Sequence, residues 1–259
     1  MSGRWIFAGM AILIALASPG LPGRQDVLLA GSGTVLHRKG QDLEIDFDPL
    51  TGTPRTIRAI GSSLLEVGNG SALSREEAAG LGPRLVRKYG DLLKIRPDRI
   101  RLLEADKVSG SWYLSYQQVA DGVGVYGTSL GFSVDPGGRI ESLGARLYPD
   151  ARAPGAAKIR RDEALKIARD HIRDYREMEY TLRSESVLIY PDRGARTVGY
   201  YRAYVFNFFS GKATHPASVA EGRAIFVDAR SGDIVNTRTL FKPLGCCLPA
   251  EGGPGGKSR

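Results

Sequence analysis

The sequence predicts an α+β fold of two tandem units, each a helix followed by antiparallel strands, on three observations. Helix-start signals occur twice, at Ser74-Arg-Glu-Glu-Ala78 and Arg160-Arg-Asp-Glu-Ala164. Stretches with a two-residue period follow each of them. A strand-turn-strand signature, Val134-Asp-Pro-Gly-Gly-Arg-Ile140, is echoed by Val227-Asp-Ala-Arg-Ser-Gly-Asp-Ile234. At 259 residues the chain has room for one large domain or two small ones, each able to bury a core.

The amino terminus carries the pattern of an export signal, spanning residues 1–23. Arg4 precedes an apolar run from Ile6 to Ala17, and Ala15-Leu-Ala17 is a small-x-small cleavage site. Pro19 ends the run well short of the roughly 20 residues a membrane span needs. The mature chain is therefore expected outside the cytoplasm, secreted or periplasmic, with no membrane span. No cysteine follows the apolar run to take a lipid.

Residues 24–50 read as a lead-in with one alternating piece, Leu43-Glu-Ile-Asp-Phe47. Asp46-Phe-Asp48 is too sparse for a calcium loop and reads as strand and turn. A strand is expected from Thr53 to Leu65, broken by Gly68-Asn-Gly70. Ser74 and Glu77 form a capping box that opens a helix toward Tyr89. Gly80, Gly82 and Pro83 lie inside that helix, so a kink or restart is expected near Pro83.

Strands are then expected at 99–108, 112–119, 123–134 and 139–148. From Tyr126 the even positions Tyr126, Thr128, Leu130, Phe132 and Val134 carry the bulk, while Asp121-Gly122 supplies the tight turn before them. Pro149 to Ala157 reads as a linker. The second helix places Ala164, Leu165, Ala168 and Ile172 on one side, and strands follow at 181–190, 200–209 and 223–227. Tyr200 to Phe209 is apolar on both faces, which suits a central strand; an interaction patch is the alternative. Residues 241–259 have the proline and glycine content of a flexible tail.

Little points to catalysis. The chain lacks His-Glu-x-x-His, and His37, His171 and His215 are far apart, so no metal site is expected. There is no Gly-x-Ser-x-Gly elbow, and the pairs Glu76-Glu77 and Asp162-Glu163 sit at helix starts, where the helix dipole accounts for them. No cofactor motif is found. The net charge of +8 is spread along the chain and interleaved with acids, which argues against a nucleic-acid partner. The adjacent Cys246 and Cys247 have no distant partner in the chain.

Tyr116-Gln-Gln-Val-Ala-Asp-Gly-Val-Gly-Val-Tyr-Gly127 resembles the signature of the fungalysin/thermolysin-type propeptide, with Tyr116, Gln118, Gly122, Val125, Tyr126 and Gly127 at matching positions. Gly124 stands where that family usually has proline. Gly52-Thr-Pro54-Arg55 resembles an element near the start of the same propeptide. Arg161 to Ala168, with the closing Val227-Asp228-Ala-Arg-Ser-Gly232-Asp-Ile-Val235, resembles a PepSY domain, except that Arg160 stands where a serine cap is common.

The resemblance implies a propeptide-like domain over 51–150, a PepSY domain over 157–240 and a cystatin-like architecture in each. It further implies a non-catalytic protein without an attached peptidase, acting in trans as inhibitor or folding chaperone of a secreted thermolysin-like zinc metallopeptidase. In such a role Phe241, Leu244, Cys246, Cys247 and Leu248 are the candidate partner-binding residues, the tail lying in the substrate cleft and a cysteine thiolate reaching the zinc. The alternative is an exported structural or interaction module with no peptidase partner.

Overall fold

The computed structural model describes residues 27–30, 33–38, 40–194, 196–210 and 220–242. Residues 1–23, read as an export signal, and Leu244, Cys246, Cys247 and Leu248 lie outside the described residues. The architecture is α+β, with two helix-plus-sheet units as the sequence predicts.

In the first unit, strands β1 (Val27–Ala30), β2 (Gly33–Arg38), β3 (Gln41–Phe47) and β4 (Pro54–Ile60) form a meander. The lead-in thus holds three strands rather than one. A two-residue strand β5 (Leu65–Glu66) precedes helices α1 (Arg75–Ala79) and α2 (Leu81–Leu93). A second meander follows: β6 (Ile100–Val108), β7 (Ser111–Ala120), β8 (Val123–Gly124), β9 (Ser129–Val134), β10 (Arg139–Ile140) and β11 (Ser142–Arg146). The two meanders join through β4 and β11 into one sheet of order β1-β2-β3-β4-β11-β9-β7-β6, with β8 on β7; β5 pairs separately with β10.

The helix break lies at Gly80, three residues before the expected place. Pro83 sits in the first turn of α2, where its missing N–H would have had no helical partner, so it starts a helix rather than bending one. Ser74 and Glu77 make both bonds of the capping box: Glu77 N–H donates to Ser74 Oγ at 3.2 Å, and Ser74 N–H donates to Glu77 Oε2 at 2.8 Å. Leu81, Leu85, Val86, Tyr89 and Leu93 are buried against Leu43, Ile45, Ile57, Leu114 and Phe132 on the inner face of the sheet.

The second unit is α3 (Arg161–His171) followed by β12 (Thr181–Arg193), β13 (Val198–Phe209), β14 (Ala220–Asp228) and β15 (Ile234–Lys242), paired antiparallel in chain order. Ala164, Leu165, Ala168 and Ile172 bury the predicted face of α3 on Phe206, Phe208, Ile225 and Val227. Each such phenylalanine contributes roughly 1.5–3 kcal/mol through burial. Arg160 provides no side-chain cap. The aromatic strand β13 is interior, as predicted, with β12 and β14 on either side. Strand β15 runs through Lys242, so Phe241 belongs to the sheet, opposite Glu221, and not to the tail.

The repeat read in the sequence recurs as geometry at the two turns. Asp135 N–H donates to Arg139 O and Asp228 N–H to Asp233 O, while Gly138 (φ 87°) and Gly232 (φ 84°) take the left-handed conformation in each turn.

Candidate functional site: the seam between the two units

The propeptide-like signature folds into the surface that joins the units. Asp121 (φ 52°) and Gly122 (φ 76°) form the tight turn after β7, a conformation that suits aspartate and glycine. The strand expected from Val123 to Val134 is interrupted between β8 and β9. There Val125 N–H still donates to Gln118 O of β7 at 2.8 Å, while the next residue, Tyr126, reaches the edge of the second sheet. Tyr126 N–H donates to Ile189 O at 2.8 Å, and Val125 pairs with Ile189 in a parallel bridge. The hairpin thereby meets the outer edge of β12 at Ile189.

An apolar cluster shared by the units lies there: Ala120, Val125, Tyr148, Ala151 and Ile189, with Tyr200 packed against it. Burial pushes the Tyr200 hydroxyl up to about 12. The Tyr126 ring meets Phe226 edge-on at 4.8 Å and lies 5.8 Å from Tyr190, while the Arg238 guanidinium stands 5.1 Å above it. The segment read as linker is anchored here: Ala151 is buried, its carbonyl accepts from Arg99 Nη2 at 2.6 Å, and Ala153 N–H donates to Asp121 Oδ2 at 2.9 Å.

The remaining signature residues hold this arrangement from within. Gln118 is fully buried; its Nε2 donates to Tyr148 O at 2.6 Å and its Oε1 accepts Tyr148 N–H at 2.9 Å, which ties β7 to the chain leaving β11. The Tyr116 hydroxyl donates to Ala79 O at 2.9 Å and accepts from Gly82 N–H at 3.2 Å, bridging the break between α1 and α2. Gly127 (φ 69°) turns the chain back toward β9. At Gly124 a Cβ would come within 2.7 Å of Gln117 Oε1, so the glycine makes room for an amide that also accepts from Arg101 at 2.9 Å. Pro54 is buried at the start of β4, and Gly232 closes the turn whose buried Asp228 accepts from Arg230 N–H at 3.2 Å and Ser231 Oγ at 2.9 Å.

One polar contact across the seam was not legible in the sequence. Asp48, in the turn after β3, is buried and meets Arg193 at the end of β12. Burial alone pushes the Asp48 carboxyl up, but the Arg193 guanidinium and the amides of Leu50 and Thr51 together hold it below its ordinary value. Arg55, exposed, approaches the same carboxylate at 3.7 Å. Arg193 is in turn pushed up, chiefly by its bond to Asp48.

The structure therefore brings Arg55, Val125, Tyr126 and Gly127 together at the seam and uses Tyr116, Gln118 and Gly122 to support it. Pro54, Asp228 and Gly232 serve their own units. Phe241 lies on β15, three residues beyond Arg238. Among the described residues no group of three or more histidines, cysteines and acids could hold a metal. No described helix is long and apolar enough to cross a membrane.

No protein-family model matches the chain, and neither does any curated protein. Among solved structures the chain is similar to the Bacillus megaterium YpeB C-terminal domain, at 12% identity and a TM-score of 0.40, covering 84% of this chain and 89% of that one. It is also similar to a Clostridium difficile protein described as a candidate lipoprotein, at 10% identity and a TM-score of 0.22, covering 70% of this chain and all of that one.

Proposed function

We propose that the chain is an exported, non-catalytic binding protein that acts in trans as inhibitor or folding chaperone of a secreted thermolysin-like zinc metallopeptidase. The resemblance of the hairpin and of the second unit motivates the partner. One structural observation carries the mode of action. Of the two edges of the second sheet, β12 is met at Ile189 by Val125 and Tyr126, whereas β15 pairs with β14 alone among the described residues.

An edge of nine residues, regularly paired from Asn236 to Lys242, offers a row of backbone groups to which an extended segment of a partner can add. Both nine-residue edges carry a register shift, but in β15 it lies at the start, at Val235, and leaves seven residues regularly paired, whereas in β6 it lies between Leu102 and Glu104 and leaves five, Glu104 to Val108. Because β15 leads into residues 243–259, a partner aligned on it would also meet the tail. Most signature residues are engaged in joining or supporting the units, which leaves recognition to other surfaces.

The test is titration of a purified thermolysin-type peptidase with the protein from Arg24 onward and with a version ending at Lys242, which keeps β15 whole. Saturable inhibition, weakened by the truncation, supports the proposal. A stably folded protein that neither inhibits nor binds the peptidase, and does not raise its refolding yield, would favour the interaction-module alternative.

A further inference from the structure

Two adjoining clefts run along the seam and share Arg146 and Arg193. One, of about 630 Å³, also takes in Asp48 and Arg55. The other, of about 310 Å³, takes in Tyr126, Asp192 and Arg238. Four guanidinium groups thus line the clefts against two carboxylates, and Asp48 has its acceptor positions filled. Its Oδ1 accepts from Leu50 N–H at 2.8 Å, Thr51 N–H at 3.3 Å and Arg193 at 3.1 Å, and its Oδ2 accepts from Arg193 at 2.8 Å.

Arg146 is exposed, paired with Ser129 through the backbone of β11, and its side chain makes no hydrogen bond or ion pair among the described residues. Arg55 approaches Asp48 with its Nε at 3.7 Å, beyond hydrogen-bond distance, and its side chain is 51% exposed. The floor of the larger cleft is bare backbone where Gly131 and Gly144 face each other across β9 and β11; the same glycines border a third cleft that takes in Glu104 and Asp106, so an acidic chain is confined to the arginine side of them. That bareness is not forced by crowding: a Cβ on Gly131 would come no nearer than 3.7 Å to Leu114 O, and one on Gly144 no nearer than 4.0 Å to Arg55 O.

We infer that this seam binds the carboxylates of an acidic peptide segment, with Arg146 and Arg55 as the receiving groups. A guanidinium presents two parallel N–H donors that match the two oxygens of a carboxylate. The Asp48–Arg193 pair already shows a carboxylate held by an arginine within the same cleft. Phosphate oxygens share this chemistry. Two clefts in succession with a backbone floor suit several carboxylates along an extended chain better than one small ion or a flat lipid surface. The inference does not depend on the partner being a peptidase.

The experiment measures binding of a fluorescent oligoglutamate peptide to the full chain at low and at physiological salt, with oligoglutamine as control. Inorganic phosphate and phosphatidylglycerol vesicles form separate arms. Expected are saturable, salt-weakened binding of oligoglutamate, none of oligoglutamine, and a loss of about tenfold or more in Arg55→Gln/Arg146→Gln. Gly144→Val, which fills the floor and keeps every arginine, is expected to weaken binding as well and guards against an effect of Arg55 on folding. Absence of oligoglutamate binding overturns the inference. So does binding that both variants leave unchanged, or a preference for phosphate or vesicles over oligoglutamate.

Discussion

Arg193 and Asp48, 145 positions apart in the sequence, meet across the seam: one guanidinium nitrogen donates to both carboxylate oxygens, at 3.1 and 2.8 Å. The contact ties the turn after β3 in the first unit to the far end of β12 in the second. Asp48 is buried, so either partner left alone costs more than an ordinary surface ion pair. Arg193→Gln is expected to lower the unfolding free energy by about 2 kcal/mol. Arg58→Gln, which removes an exposed pair with Glu44 at 3.7 Å, changes it by less than about 0.5 kcal/mol. Denaturant unfolding of the two variants checks the difference.

The same pair sets an acid dependence. Asp48 is held below its ordinary value of 3.8 in the folded state. Its stabilisation is therefore present above the unfolded value and lost as pH falls through the lowered folded value. Thermal unfolding followed downward in pH through this range should show a steeper loss for the native chain than for Asp48→Asn. Parallel curves would remove Asp48 from the account of the seam.

Tyr116 bridges the helix break with one donated and one accepted bond. Tyr116→Phe deletes both and should cost about 1–2 kcal/mol. In Gly82→Ala the new methyl would overlap the Tyr116 ring, an overpacking that should cost about 1–3 kcal/mol. Equilibrium unfolding of the two variants and of their combination checks the coupling, since the paired sites should not be additive.

The repeated turns respond unequally to the same change. Gly138→Ala and Gly232→Ala each place a side chain in the left-handed region, at a cost of about 1–2 kcal/mol. At Gly138 the added Cβ would also overlap the backbone carbonyl of Gly68, whereas at Gly232 it would meet the flexible Ile167 Cδ1 at 3.1 Å. Thermal melts should therefore show Gly138→Ala as the more damaging substitution.

These relationships divide into those the sequence displays and those it hides. Local signals are legible because their partners are near: Ser74 and Glu77 make their own capping box, and Asp121-Gly122 makes its own turn. The face of α3 follows from spacing alone. Tyr126 shows where such reading stops. Its place in the alternation assigns it to the first core, but the strand breaks before β9 and its ring packs on Phe226 of the other unit. In Gly33–Arg38 the larger side chains keep no strict alternation, so β2 gave no clear period, whereas β3 showed itself in Leu43–Phe47. Pro83 looks like a helix breaker until the helix is seen to restart at Leu81. Asp48 carried no signal at all, because what buries and pairs it lies at the far end of β12.

The most direct test of recognition through the edge of the second sheet is amide hydrogen exchange of β15 with and without a bound thermolysin-type peptidase. We predict slowed exchange at the amides of Ile234–Lys242 that do not bond to β14, with no comparable change along β6. Complex formation that leaves every β15 amide unchanged would contradict it.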